Sequence, residues 1–427
     1  MGKQNRRRRT GRAARTDNPA LDAGVVSSDP ERIAEAITAA AVASTQGNTV
    51  AVQRFIEQLV GSGPLTNELA DGVRLAGQRI VDRVFRYGWL PRDVHQAARR
   101  RVDEFAVGYL TDVMAAHLAP FAPELVDATW RTQLDELAAD TWWAQTQPHL
   151  RQWATRQLLT DTEALTTVVA ALALLVQLPK VELIRPLPGA ANVHPAAHHG
   201  VDAKVLGRVR GLLAKAESTS FPEEAETLSA KAQQLMTKHA LDRVLVEADT
   251  SVPDLPGARR IWLDTPYVEA KALLVEVVTR ANRCRAIFVA AWEFMTVVGD
   301  DSDLDAVELL TTSLLVQATR AMIATGNQTT RSDESRSRAF RKAFLTAYAT
   351  RIGERLAATN ESAIAESADA ARLLPVLARR QRTVDEAFDA LFPAVRSRGI
   401  TIRSAEGWEA GLEAADRARF HGHSVKR

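Results

Sequence analysis

The chain has 427 residues, 46% of them apolar and 25% charged, with a formal net charge of +2. That length exceeds one small core and calls for two or three folded units, and the composition is that of a globular protein rather than a low-complexity or fibrous one. Cys284 is the lone cysteine, which excludes an intramolecular disulfide framework and makes a reducing cytoplasm the expected compartment.

The net charge hides an asymmetry. Residues 1–15, MGKQNRRRRTGRAAR, hold seven basic residues and no acidic one, and taking those seven from +2 leaves −5 for the remainder. The stretch has no apolar face, so it reads as neither a secretory signal nor a buried helix, and a disordered arm over 1–29 is predicted. Arg6, Arg7, Arg8, Arg9, Arg12 and Arg15 make it a candidate for nonspecific nucleic-acid binding through counterion release. A merely solubilising terminus is the competing reading. Arginine outnumbers lysine 45 to 9, a mark of GC-rich coding sequence, so arginine content by itself does not argue for nucleic acid.

From 30 to 180 the pattern predicts a helical domain. Asp29-Pro30 opens a helix whose Ile33, Ile37 and Ala40 share a face. After GSGP at 61–64, Leu69, Val73, Ala76, Ile80 and Val84 recur every three or four residues. In RYGWLPRDV, Gly88 ends one helix, Pro91 starts the next, and Asp93 places a carboxylate at its positive end. Trp130, Trp142, Trp143 and Trp153 are expected to fill the core of this bundle rather than form a base-stacking platform. The most apolar run, 164–178, is shorter than the roughly 20 residues that cross a bilayer, so it is expected to be a buried helix and no membrane is an expected partner.

Residues 181–200 read as a linker and contain VHPAAHHG. His194 and His198 are weak candidate zinc ligands, since Pro195 interrupts the helical spacing and no HExxH or paired cysteines complete a coordination sphere. A helical hairpin is predicted at 202–242. Val205, Val209, Leu212, Leu213 and Ala216 line one helix, Ser220-Phe-Pro-Glu223 fits a capping box, and Ala225, Leu228, Ala232, Leu235 and Met236 line the second. Two such helices bury too little to stand alone, so the hairpin must dock on a flanking domain, another copy or a partner.

The run from Lys204 through Leu241 resembles the family catalogued as domain of unknown function 2786. Lys204, Leu212, Leu213, Ala216, Glu217, Thr219, Glu224, Ala225, Lys231, Ala232, Leu235 and Met236 fall on its pattern. The flanking parts are similar to full-length actinobacterial members, which often carry a turn like Gly88–Asp93. The resemblance implies a helical hairpin and no reaction, substrate or cofactor. Among its polar motif positions Lys204, Glu217, Glu224 and Lys231, the two glutamates flank the turn and are expected to cap and solubilise it, with binding of an acidic partner or nucleic acid by the four as the competing reading.

A second linker is predicted at 243–258, an α+β domain at 259–420 and a disordered tail at 421–427. RRIWLDTPY reads as one strand, and RCRAIFVAAWEFMTVVGD as two strands around a short connection. Leu304, Val307, Leu310, Leu314, Leu315 and Ala318 mark one covering helix; Phe340, Phe344, Tyr348, Ile352 and Leu356 mark another. The fold class is therefore mainly α, with a small sheet in the last domain. Cys284 is expected to be a buried structural thiol rather than a nucleophile. Asp300 and Asp301, in VVGDDSDLD, are weak candidate Mg²⁺ ligands, with helix capping as the expected role. Arg338, Arg341 and Lys342 crowd a helix start, where positive charge opposes the dipole unless phosphate or an acidic neighbour compensates.

These features point to a cytoplasmic, non-catalytic binding protein that associates with nucleic acid through the arm and uses no cofactor. The alternatives are a metal-dependent hydrolase and a structural oligomer; the candidate partners are nucleic acid or another protein.

Overall fold

The computed structural model describes residues 28–61, 65–190, 200–219, 231–239, 256–328, 338–365, 370–393 and 405–417, together with positions 224, 227 and 228. The stretches 1–27 and 421–427, with six of the candidate arginines, and His194 and His198 lie outside the described residues. The chain divides into two compact units, Met1–Val193 and His194–Arg427.

In the described part of the first unit the elements are helical: α1 (Pro30–Thr45), α2 (Thr49–Val60), α3 (Asn67–Arg86), α4 (Pro91–Arg99), α5 (Glu104–Leu118), α6 (Ala128–Glu136), α7 (His149–Arg156) and α8 (Asp161–Gln177), with a 3₁₀ turn at Pro123–Leu125. Caps start them where the sequence offers short polar side chains. Asp29 accepts from the Glu31 N–H at 3.1 Å, Thr66 from Leu69 at 3.1 Å and Asp103 from Ala106 at 2.8 Å, each satisfying a first-turn donor. Thr160 and Glu163 form a reciprocal capping box on α8. The apolar run at 164–178 is the buried centre of the unit: Leu165, Val168, Leu172 and Leu175 are inaccessible to solvent, and α1, α3 and α5 pack on that helix. Among the described residues no single helix is long and apolar enough to cross a membrane.

The turn between α3 and α4 has a physical role for each of its marked residues. Gly88 has φ +90°, and a Cβ there would lie 2.5 Å from the Val181 carbonyl oxygen and 2.7 Å from that of Glu182. Only glycine fits both the conformation and the approach. Trp89 is fully buried and donates its indole N–H to the Pro179 carbonyl at 2.7 Å. Asp93 accepts from the Leu90 N–H at 3.2 Å, and the Val181 N–H donates to Tyr87 O at 2.8 Å. Residues 179–190, linker-like by composition, are thus tied to this unit; Trp130 adds a bond to the Pro186 carbonyl at 3.0 Å.

Three of the four tryptophans expected in the core, Trp130, Trp143 and Trp153, are buried. Trp142 differs, with 36% of its surface exposed. It sits in the irregular segment before α7, where its indole N–H reaches both Asp112 carboxylate oxygens at 3.0 Å. Arg156 lies 4.3 Å over its ring, and the same carboxylate meets His149 Nε2 at 2.8 Å. A polar group that needs a carboxylate keeps this ring at the rim.

The second unit contains α9 (Gly200–Ser218), a further helical stretch at 231–239 (α10), β1 (Gly257–Trp262), α11 (Val268–Ala281), β2 (Arg285–Val289), β3 (Phe294–Gly299), α12 (Asp301–Gln328), α13 (Arg338–Ala365), α14 (Ala370–Leu391) and α15 (Ala405–Arg417). The strands form an antiparallel sheet in the order β1-β3-β2, registered by Trp262 opposite Phe294 and Arg285 opposite Val298. The central strand is the one without a charged residue, FMTVVG, buried at every position. Its Met295 and Val297 join the main core with α11, α12 and α13, whereas Phe294 meets Trp262 at 5.1 Å and Arg260 at 5.4 Å. The outer strand β2 is engaged by α14: Arg285 pairs with Asp389 at 3.0 Å and stacks 4.0 Å over Phe388.

The predicted faces of α12 and α13 are buried, from Leu304 to Ala318 and from Phe340 to Leu356, except that Leu315 is half-buried at the edge of the core. Gly411 of α15 lies so close to the Phe344 carbonyl that a side chain there would overlap it, which lets α13 and α15 pack backbone to backbone.

Candidate functional site

The hairpin docks within its own unit. Val209, Leu213, Ala232 and Met236 belong to the same buried cluster as Val275, Val297, Leu310 and Phe344, with Val205, Leu212 and Leu235 packed at its edge. Their spacing of three and four puts them on one side of each helix, so both apolar stripes are consumed by this core.

Beside the apolar contact runs a polar chain that begins buried at Gln233 and Thr237 and ends at the half-buried Asn360. Gln233, fully buried, donates from Nε2 to Thr237 Oγ1 at 3.3 Å, and that hydroxyl donates to Asn360 Oδ1 at 3.2 Å. Asn360 Nδ2 in turn donates to the carbonyl of Ala281, the last residue of α11, at 2.5 Å. Apolar contact tolerates sliding, whereas buried donors must meet particular acceptors, so this chain sets the register of α10 on the domain.

A shallow cleft with room for about 20 Å³ lies where the start of α9 and the end of α10 meet the sheet domain; it is lined by Val205, Met236 and His239 from the hairpin and by Asn282, Arg283 and Asp303. Arg283 has φ +60°, a left-handed position in the turn between α11 and β2. Its guanidinium grips Asp303 with Nη2 at 2.5 Å and Nε at 3.1 Å. Burial would lower the guanidinium's pKa, but the Asp303 charge and hydrogen bond outweigh it and hold the group above its ordinary value.

Cys284 follows immediately, 4% exposed, its thiol donating to the Asn282 carbonyl at 3.3 Å. Burial first, and the Asp303 charge second, push the thiol well above its usual range. It stays protonated, the state of an inert structural cysteine.

The acidic run after β3 is drawn into ion pairs with arginines. Asp303 pairs with Arg283, Asp300 with Arg380 at 3.2 Å, and Asp305 with Arg259 at 2.7 Å; Arg259 also holds Glu308 at 2.7 Å. Asp301 is exposed at the start of α12. Among the described residues no group of three or more His, Cys, Asp or Glu is placed to hold a metal ion.

The motif positions divide by role. Lys204 and Lys231 are exposed. Glu224 accepts from the Thr219 hydroxyl at 2.8 Å and pairs with Lys215 at 3.1 Å, and these contacts, the hydroxyl first, hold its carboxyl below its ordinary value. Glu217 contributes its backbone carbonyl, which accepts from Arg320. Of the basic cluster at the start of α13, Arg338 and Arg341 are exposed, and Lys342 has the acidic neighbour its position calls for, Glu269 at 2.6 Å. His239 and the Arg283–Asp303 clamp were not singled out as a site by the sequence. Their only advance signal was the placement of His239 at the end of the hairpin motif.

A two-helix element built into one layer of an α+β domain is the class of structure these contacts define. Residues 204–243 match the family model described as protein of unknown function (DUF2786), and the hairpin is a domain of that family. No curated protein and no solved structure matches the chain.

Proposed function

We propose that this is a cytoplasmic, non-catalytic binding protein that contacts nucleic acid through its basic segment. The observation that carries the reading is charge segregation: seven basic and no acidic residues within 1–15, against −5 for the rest. A stretch of that kind gains affinity for phosphates by releasing condensed counterions. Arg6, Arg7, Arg8, Arg9, Arg12 and Arg15 are the proposed contacts, with Arg338 and Arg341 at the exposed start of α13 as a secondary set and Lys342 shared with Glu269. Two further observations favour binding over chemistry. The carboxylates of Asp300 and Asp303 are held by guanidiniums, and the Cys284 thiol is kept protonated. A lone buried cysteine suits a reducing compartment.

The test is a titration of a labelled DNA duplex of arbitrary sequence at several salt concentrations, using the full chain and a form lacking residues 1–16. Each phosphate contact contributes about −0.9 to the slope of log K against log salt. Deletion is expected to weaken binding and flatten that slope by several units. Unchanged affinity and slope would overturn the assignment. A stoichiometric metal lost on Asp301→Ala would replace it with the hydrolase reading.

A further inference from the structure

The outward side of the family hairpin carries a charge pattern that its packing does not use. On α9, Lys204, Arg208 and Lys215 are exposed at i, i+4 and i+11; on α10, Lys231 and Lys238 are exposed at i and i+7. These positions lie opposite the buried Val209, Leu213, Ala232 and Met236. Lys215 is tied to Glu224. Among the described residues, Lys204, Arg208, Lys231 and Lys238 form no ion pair. The start of α9 and the end of α10 border the same cleft, so Lys204 and Arg208 share one end of the hairpin with Lys238. Glu217, Glu223, Glu224 and Glu226 fall instead around its turn in the sequence.

The other outward residues discriminate between partners. Between the cations stand Gly207, Gly211 and Gln234, and a Cβ at either glycine would meet nothing within 4 Å. No large apolar side chain is exposed among the described residues of 204–239. A membrane-surface helix needs an apolar face to insert, and both such faces are spent on the core. A protein interface needs aromatic or aliphatic anchors and is poor in lysine. A phosphate backbone needs only cations and close approach, which lysine, arginine and bare glycine supply. At a rise of about 1.5 Å per residue, Lys204 and Arg208 stand about 6 Å apart along the axis and Lys231 and Lys238 about 10 Å.

We infer that the outer face of the DUF2786 hairpin, through Lys204, Arg208, Lys231 and Lys238, is a docking surface for the phosphate backbone of nucleic acid. It extends the nucleic-acid reading proposed above to a second, structured site, distinct from the arm. The arm gathers phosphates without orientation; the hairpin, held in register by Gln233, Thr237 and Asn360, fixes how the polyanion lies on the second unit.

The experiment compares four forms of the whole chain: unaltered, lacking residues 1–16, carrying Lys204→Gln, Arg208→Gln, Lys231→Gln and Lys238→Gln together, and combining both changes. Each is titrated with a fluorescein-labelled DNA duplex and with a single-stranded RNA across a salt series, and thermal unfolding verifies that the exposed substitutions leave the fold intact. The expected result is residual binding after arm deletion that falls at least tenfold when the four cations are neutralised, with the salt slope for duplex reduced by about 3.6. If the quadruple variant binds both probes as tightly as the unaltered chain while arm deletion alone abolishes binding, the hairpin surface is refuted and the arm survives. If neither change alters binding, both assignments fall. Equal affinity for polyglutamate or for phosphatidylserine vesicles, with the same dependence on the four residues, would overturn nucleic acid as the partner of this face.

Discussion

Arg283 condenses several constraints into one position. It occupies a left-handed turn that ends α11, points its guanidinium at Asp303 and sets Cys284 against Gly299 at the start of β2. The pair is largely withdrawn from solvent, with side-chain exposures of 20% and 8%. Removing one member of such a pair leaves a charge stranded where water cannot reach it. Arg283→Ala is therefore expected to lower unfolding free energy by about 3 kcal/mol in urea denaturation, and Asp303→Asn in the Arg283→Ala background should recover part of the loss. The cysteine's burial was legible, because it stands at the start of a β-rich run with no partner residue beside it in the sequence. The clamp was not, since 20 residues separate its partners and only the α11–β2 turn brings them together.

At the scale of elements, the hairpin's apolar stripes announced that it must dock, while its dock was open until the core showed α9 and α10 against α11, α12 and α13. What distinguishes this docking from generic apolar contact is the Gln233–Thr237–Asn360 chain. Cutting it with Asn360→Ala leaves the Thr237 hydroxyl and the Ala281 carbonyl without this partner, a cost of about 1–3 kcal/mol. Amide hydrogen exchange across 231–239 should accelerate roughly tenfold or more, while α8 in the other unit stays protected. Equal protection in variant and parent would show that apolar packing alone positions the hairpin. The turn at Gly88–Asp93 illustrates the opposite case, in which helix stop, proline start and carboxylate cap were all readable. The backbone of 181–182 pressed against Gly88 was not, because a composition rich in proline and glycine carries no record of what it lies against.

At the scale of the whole molecule, the matched family segment ends at residue 243, but the folding unit does not. Leu213 and Met236 share a core with the central strand and three long helices. Leu213→Ala, a fully buried truncation, is expected to cost about 2–5 kcal/mol. The loss should appear in exchange of the β3 amides as well as in 204–239, since the two belong to one cluster. A loss confined to 204–239 would show a hairpin that folds on its own.

Local rules were enough to mark the helical character of the first unit, the two hairpin helices, two of the long helices over the sheet, the turn at Gly88–Asp93, the three strands, the buried thiol and the segment matching a family, because periodicity, turn chemistry and charge runs are written in consecutive residues. The helices at Val268–Ala281, Ala370–Leu391 and Ala405–Arg417 were not marked. Tertiary structure alone decided the strand order, the partner of each acidic residue at 300–305, the partial exposure of Trp142 and the surface on which the hairpin rests. Each of those depends on side chains far apart in the chain competing for the same buried volume or the same counter-charge, and no local pattern records which of them meet.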